Sequence, residues 1–241
     1  MASNYFAILV AAGNGKRMQA QIPKQYLKLC GKTLLEHAIA PLLAEPCISN
    51  VVVVTAQDDE HWPRLEIAQH PKIIVAEGGE ERIDSCLNGL RALQGIARGD
   101  DWILDHDAAR PCLQAADLKQ LLDSLQDNAV GGILAYPVVD TLKRGDDEQM
   151  IVGTVDRNNL WHAATPQMFR YDLLFRALAR AKRQADPITD NASAIELLGY
   201  RPQIINCSRQ NIKLTYPDDL KLAEFYLNFV TRHPRESGND D

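Results

Sequence analysis

Residues 8–27, ILVAAGNGKRMQAQIPKQYL, begin as an apolar run and break into glycines and bases. Gly13 and Gly15 would let backbone N–H groups approach an anion closely, and Lys16, Arg17 and Lys24 would neutralise it. The stretch matches neither common phosphate-loop pattern. A Walker A loop requires glycine where Val10 stands and Ser or Thr where Arg17 stands, and the dinucleotide fingerprint requires glycine at Met18. Three cations around one glycine turn exceed what a single phosphate needs and point to a triphosphate. The plainer alternative for the loop alone is a tight turn with solvated bases.

Two other stretches place polar groups where an apolar run ends. In DHDAARP, residues 105–111, Asp107 can hold Mg²⁺, a hard ion that takes few protein oxygens and completes its shell with phosphate and water. Ala108 and Ala109 leave room for a ligand, and Arg110 offers a planar fork suited to phosphate. His106 reads better as a packed, hydrogen-bonded histidine than as a catalyst. In GGEERIDS, residues 78–85, a second glycine pair backed by Ser85 could let backbone groups read a base edge, or could be an ordinary turn into a helix. Thr141 with Lys143 and Arg144, VDRNNLWHAATPQ and PITDNASAIE carry polar residues without an evident local task, apart from Asp190 as a helix cap. Lys213 would face a crevice if Ile212 and Leu214 point elsewhere. No GxSxG element and no zinc-ligand spacing occur in the sequence.

The elements that must position these residues alternate short β-branched runs with amphipathic helical patterns. This predicts an α/β fold, a Rossmann-like, mostly parallel twisted sheet with helices on both faces. YFAILV, VVVVT, KIIVAE, WILDHD, GGILAYPVV and RPQIINC read as strands. TLLEHAIAPLLAE reads as a helix opened by a Thr33–Glu36 capping box. Helical patterns recur at IDSCLNGLRALQGIA, DLKQLLDSLQ, YDLLFRALARAKR and DNASAIELLG. A closing helix, PDDLKLAEFYLNFV, is expected with Pro217 in its first turn and Leu220, Ala223, Leu227 and Val230 on one face. Between them, DTLKRGDDEQMIVGTVDRNNLWHAATPQ alternates about the turn signal RGDDE and predicts a protruding β-arm at about 138–160. The expected organisation is one domain over 1–230 and a disordered polar tail over 231–241.

With 241 residues, 46% hydrophobic and 24% charged, the chain can bury a sizeable core. Its net charge of −6 gives no overall attraction for nucleic acid or an anionic membrane, so any polyanion must meet a local concentration of base. No apolar run is long enough to span a bilayer, and MASNYFAILVAAG is expected to be the first core strand and not a signal peptide. Five scattered cysteines form no disulfide framework, and a cytoplasmic setting is expected.

Taken together, AAGNGKRM, PKQYL, GGEERIDS, HDAARP, TVDRNNLWHAATPQ, TDNASA and NIKLTYPDDL resemble the 2-C-methyl-D-erythritol 4-phosphate cytidylyltransferase family, in order, from about Ile8 to Tyr226. The resemblance implies transfer of CMP from CTP to methylerythritol phosphate with release of pyrophosphate, in non-mevalonate isoprenoid precursor biosynthesis and with Mg²⁺ as cofactor. It implies that Ala11, Ala12, Gly13, Gly15 and Arg17 line the triphosphate, with Lys24 beside the α-phosphate. Gly79, Glu80 and Ser85 would sit near the cytosine, Glu80 standing where family members often carry Asp. Asp107 would contact Mg²⁺ and ribose. Arg110, Thr165, Thr189 and Lys213 would surround the acceptor phosphate, and Thr141 and Arg157 would act from the arm across a homodimer. Arg17, Lys24 and Lys213 are the expected catalytic residues. The competing expectations are a ribitol-5-phosphate cytidylyltransferase, whose substrate is also a short polyol phosphate, and a non-catalytic nucleotide-binding regulator.

Overall fold

The computed structural model describes residues 3–13, 18 and 20–232. Its centre is a seven-stranded sheet of β1 (Tyr5–Val10), β4 (Ile48–Thr55), β5 (Ile73–Glu77), β6 (Trp102–Asp107), β7 (Gly131–Pro137), β10 (Trp161–Arg170) and β11 (Gln203–Asn206). The strand order is β11-β7-β10-β6-β1-β4-β5, and the two-residue strands β2 (Lys28–Leu29) and β3 (Lys32–Thr33) pair with each other outside it. Within the seven-stranded sheet all neighbours pair in parallel except β10, which runs antiparallel to both β6 and β7. The mostly parallel sheet of the sequence reading is therefore present.

Strand alternation decides which helices cover which face. Ala7 and Leu9 of β1 and Val51 and Val53 of β4 face one core, which also holds Leu35, Ile39 and Leu42 of α1 (Leu34–Ala44) and Leu118, Leu121 and Leu125 of α3 (Ala115–Leu125). Phe6, Ile8, Val52 and Val54 face the other. There they meet α2 (Arg82–Ala92), α4 (Tyr171–Gln184) and the short α5 (Asn191–Leu197). Because β4 is covered on both sides its run is continuously apolar, and each fully buried Val or Leu contributes about 2 kcal/mol relative to exposure. The α1 start carries the expected box: Glu36 N–H donates to Thr33 Oγ1 at 3.1 Å and Thr33 N–H donates to Glu36 Oε2 at 2.7 Å.

Two expectations need correction. The stretch WHAATPQ, assigned from sequence to the arm, belongs to β10, a ten-residue strand inside the main sheet. Pro166, within it, has no N–H to give to a ladder. The structure accommodates it where the pairing with β7 shifts register, between Ala163 and Gln167. Pro217 precedes the closing helix α6 (Asp219–Arg232) and does not sit in its first turn. Asp219 instead accepts from the N–H groups of Thr215 and Tyr216, at 2.7 and 2.8 Å. Ala223 is buried and Leu220 and Leu227 pack beside it, while the Val230 side chain and residues 233–241 lie outside the described part. The turn signal RGDDE does close a hairpin, β8 (Leu142–Gly145) with β9 (Ile151–Val155), which forms a two-stranded sheet of its own.

Candidate active site

Strands β1, β4, β5 and β6 all point the same way, so their carboxyl ends share one edge, with Val10 opposite both Val54 and Asp107. From β1 the chain first builds outward through β4 and β5 and then returns to place β6 on the other side of β1. That reversal opens a crevice at the strand ends, the usual ligand position in such sheets. A cleft of about 250 Å³ occupies it, lined by Ala11, Ala12, Gly13, Lys24, Gly79, Glu80, Arg82, Ser85, Asp107 and Lys213, among others.

One wall of the cleft is two loops in close approach. Ala11 N–H donates to Val54 O at 2.8 Å and Gly78 N–H to Thr55 O at 2.7 Å, so both loops hang from the end of β4. A side chain at Gly78 would run into the Ala12 methyl, and one at Gly79 into Asp84. Ser85 is buried, and its hydroxyl accepts from Gly79 N–H at 3.1 Å and donates to Glu81 O at 3.3 Å. It shapes the glycine loop from behind.

Lys24 opens a short 3-10 turn, Lys24–Tyr26, after Pro23, whose φ is −56°. Its Nζ donates to Leu214 O at 3.2 Å. The turn is anchored twice: buried Gln25 donates to Ala11 O, and Tyr26 donates its phenolic proton to Asp59 at 2.6 Å. Lys213 reaches the cleft as the sequence reading required. Leu214 is fully buried under α6, and Lys213 Nζ lies 2.8 Å from Asp107 Oδ2.

Asp107 is the electrostatic centre. Burial alone would raise its pKa, but Lys213 first, then Arg82 and Arg110, hold it well below the usual carboxylate range. Arg82 Nη2 lies 2.6 Å from Asp105 Oδ2 and 3.9 Å from Asp107 Oδ1. Asp105 also holds the guanidinium charge of Arg82 above its ordinary range. The two carboxylates Asp105 and Asp107 thus face three cations, Arg82, Arg110 and Lys213. These cations, with Lys24, are the bases the fold gathers at the cleft of a chain of net charge −6, while Glu80 and Glu81 add acid along the loop side.

His106 is fully buried behind this centre, and burial pushes its imidazole down to about 4. Thr165 Oγ1 accepts from Asp107 N–H at 3.0 Å and therefore turns its own proton to His106 Nδ1, 2.8 Å away. That leaves His106 Nε2–H to donate to Arg110 O at 3.2 Å. The ring is neutral and committed on both nitrogens, in agreement with the packed reading. The irregularity in β10 aims Thr165 at Asp107, a common use of such a kink beside a site.

The phosphate fork expected at Arg110 is turned into the protein. Its side chain is buried, with Nη1 donating to Asn211 O at 2.6 Å and Nη2 to Ala163 O at 3.1 Å, while Nε faces Asp107 Oδ2 at 3.4 Å. With both terminal nitrogens bonded to backbone carbonyls and Nε within ion-pair distance of Asp107 but not hydrogen-bonded, Arg110 holds Asp107 and the Lys213 segment in place and does not present a free fork. Thr189 is exposed and lines a neighbouring hollow of about 530 Å³, which shares Glu81 and Arg82 with the first. Thr141 and Arg157 lie at the base of the hairpin, exposed and away from the cleft lining, with Arg157 Nη1 donating to Val139 O. Gly15 and Arg17 lie outside the described residues.

Arg82 and Gln25 carry no assignment in the sequence reading, yet both line the cleft. Arg82 left one local signal: a base in the first turn of a helix opposes the helix dipole, so it needs another reason to be there. Gln25 left none, because its use depends on where Ala11 lies in space. Among the described residues no group of three or more His, Cys, Asp or Glu could hold a metal ion.

The family model of 2-C-methyl-D-erythritol 4-phosphate cytidylyltransferase (IspD) matches residues 5–229. A 2-C-methyl-D-erythritol 4-phosphate cytidylyltransferase of Vibrio vulnificus (strain CMCP6) is 51% identical over 222 residues, 92% of this chain and 94% of that one. A crystal structure of 4-diphosphocytidyl-2C-methyl-D-erythritol synthase superposes with a TM-score of 0.82 at 39% identity, covering 94% of this chain and 99% of its own. That of the Francisella tularensis 2-C-methyl-D-erythritol 4-phosphate cytidylyltransferase does so with a TM-score of 0.81 at 35% identity, covering 93% of this chain and all of the other. A crevice with these bases around one carboxylate, on this sheet and over nearly the whole length of such relatives, leaves one assignment: the chain belongs to the 2-C-methyl-D-erythritol 4-phosphate cytidylyltransferase family.

Proposed function

We propose that the chain transfers CMP from CTP to 2-C-methyl-D-erythritol 4-phosphate, releasing pyrophosphate and forming CDP-methylerythritol. Within this family, the observation that carries the reading is the convergence of Lys24, Asp107 and Lys213 on one cleft from three distant parts of the chain. The acceptor is a phosphate monoester, already anionic near neutral pH, so no strong general base is needed. The one histidine at the centre is indeed tied up in neutral form. The barrier lies in bringing two anions together and stabilising charge at the α-phosphate, which positioning and fixed cations can do. The 11–13 and 78–80 backbones take the nucleotide, Lys24 faces the α-phosphate, and an incoming phosphate competes with Asp107 for Lys213 Nζ.

Asp107, an ionised carboxylate at the cleft wall, suits Mg²⁺, which commonly takes one or two protein carboxylates and draws its remaining ligands from phosphate and water. Bound there, Mg²⁺ would neutralise charge on the triphosphate. We further assign Thr189 to the acceptor side and the hairpin, with Thr141 and Arg157, to a homodimer contact that reaches a second subunit's site. All five cysteines are free, which suits a cytoplasmic setting. Among the described residues no helix is long and apolar enough to cross a membrane.

The test is pyrophosphate release by the purified chain with CTP and Mg²⁺, in the presence of methylerythritol phosphate, ribitol 5-phosphate or no acceptor. Release that depends on methylerythritol phosphate is expected. A preference for ribitol phosphate, or CTP binding without release, would overturn the proposal.

A further inference from the structure

Arg82 ties together three elements that meet at the cleft. It stands in the first turn of α2, directly after the nucleotide loop. Its Nη2 is held by Asp105 of β6 at 2.6 Å, and its Nη1 donates at 3.2 Å to Oδ1 of Asn191, the first residue of α5. The same guanidinium edge comes within 3.9 Å of Asp107. Arg82 also lines both the nucleotide cleft and the hollow that contains Thr189, so its side chain forms part of the wall between them. A purely structural salt bridge would account for Asp105 alone. It would not account for a fork spread over β6 and α5 with one edge turned to the carboxylate that also pairs with Lys213.

We infer that Arg82 is a positioning residue for transfer, fixing the Asp107 carboxylate and the acceptor-side wall relative to the nucleotide loop. This rests on the cytidylyltransferase reading of the cleft. Asp105 and Asn191 orient the guanidinium, and the guanidinium sets how closely the two sides approach. Lysine can supply the charge but not the planar fork, since its donors diverge from one nitrogen whereas Asp105 and Asn191 are met by two.

Two effects must be separated. Asp105 is buried and takes its charged partner from Arg82, so R82Q strands a carboxylate and is expected to lower Tm by about 5–15 °C. The double variant R82Q/D105N replaces the ion pair by two amides and should regain most of that loss. Its turnover should nevertheless stay about 10²-fold below wild type, with kcat bearing the decrease and KM for CTP little changed, because misplacement by an ångström costs on that scale. R82K should fold and show an intermediate kcat. Recovery of kcat together with Tm in the double variant would reduce Arg82 to a structural role, as would wild-type kcat in R82K. Wild-type protein in the same assay keeps the two ideas apart. If it fails to turn over, the functional proposal fails; if it turns over and the variants match it, only the role of Arg82 does.

Discussion

Lys24 and Lys213 lie far apart in sequence, but Lys24 donates to the carbonyl of the residue that follows Lys213. Each is expected to stabilise charge that develops during transfer, so K24A and K213A should each lower kcat by about 10²-fold with the fold kept. Near-normal turnover in either would remove that lysine from the mechanism. Because the two segments are linked, K24A/K213A should lose less than the product of the single effects. His106 governs stability instead. Its folded value of about 4 lies below the ordinary 6.5, so the unfolded chain takes up the proton first as pH falls. The stability contributed by the neutral ring is complete above pH about 6.5 and is lost as pH drops towards 4, by up to about 3 kcal/mol. Thermal melts across that window should show a smaller acid-side decline for H106Q than for wild type.

At the scale of elements, the wall proposed to take the nucleotide depends on two loops hung from the end of β4, with Gly78 against Ala12. In G78A the added methyl must push the loops apart. We expect a loss of about 1–3 kcal/mol in stability and weaker CTP binding. A calorimetric titration with CTP and a denaturant melt would check both, and unchanged CTP affinity would mean that the close approach of the loops does not shape the nucleotide site. The antiparallel strand β10 has a comparable role on the other side, since its shifted register carries Thr165 to Asp107 and His106.

At the scale of the whole molecule, the proposed dimer makes a prediction that no single subunit can fulfil. If each site combines its own Lys213 with the partner subunit's Arg157, a random mixture of K213A and R157A subunits should contain intact sites. A two-fold dimer formed from equal amounts should recover about a quarter of the wild-type activity. No recovery above the sum of the separate variants would place Arg157 in its own subunit's site or in none. Alone, R157A should chiefly raise KM for methylerythritol phosphate, and an effect confined to CTP would contradict its assignment to the acceptor.

Much of the molecule was legible in its local chemistry. The apolar runs of β1, β4 and β6, the Thr33–Glu36 box and the hairpin turn depend on spacing within a few residues, where strand alternation and capping leave a direct pattern. That Asp107 has a functional place was also readable, because charge at the end of a buried strand needs a reason; that Arg82 and Lys213 gather on it was not, because they come from distant segments. Tertiary structure alone decided that β10 enters the main sheet despite Pro166, since only neighbouring strands could show where the ladder may be broken. It alone turned Arg110 inward, because the carbonyls of Ala163 and Asn211 that occupy it come from distant segments. It likewise made Arg82 the bridge between β6 and α5. Residue type determined which groups could carry charge at this cleft. Packing determined which of them are still free to offer it to a substrate, because a buried guanidinium must satisfy its donors with whatever the fold brings within reach.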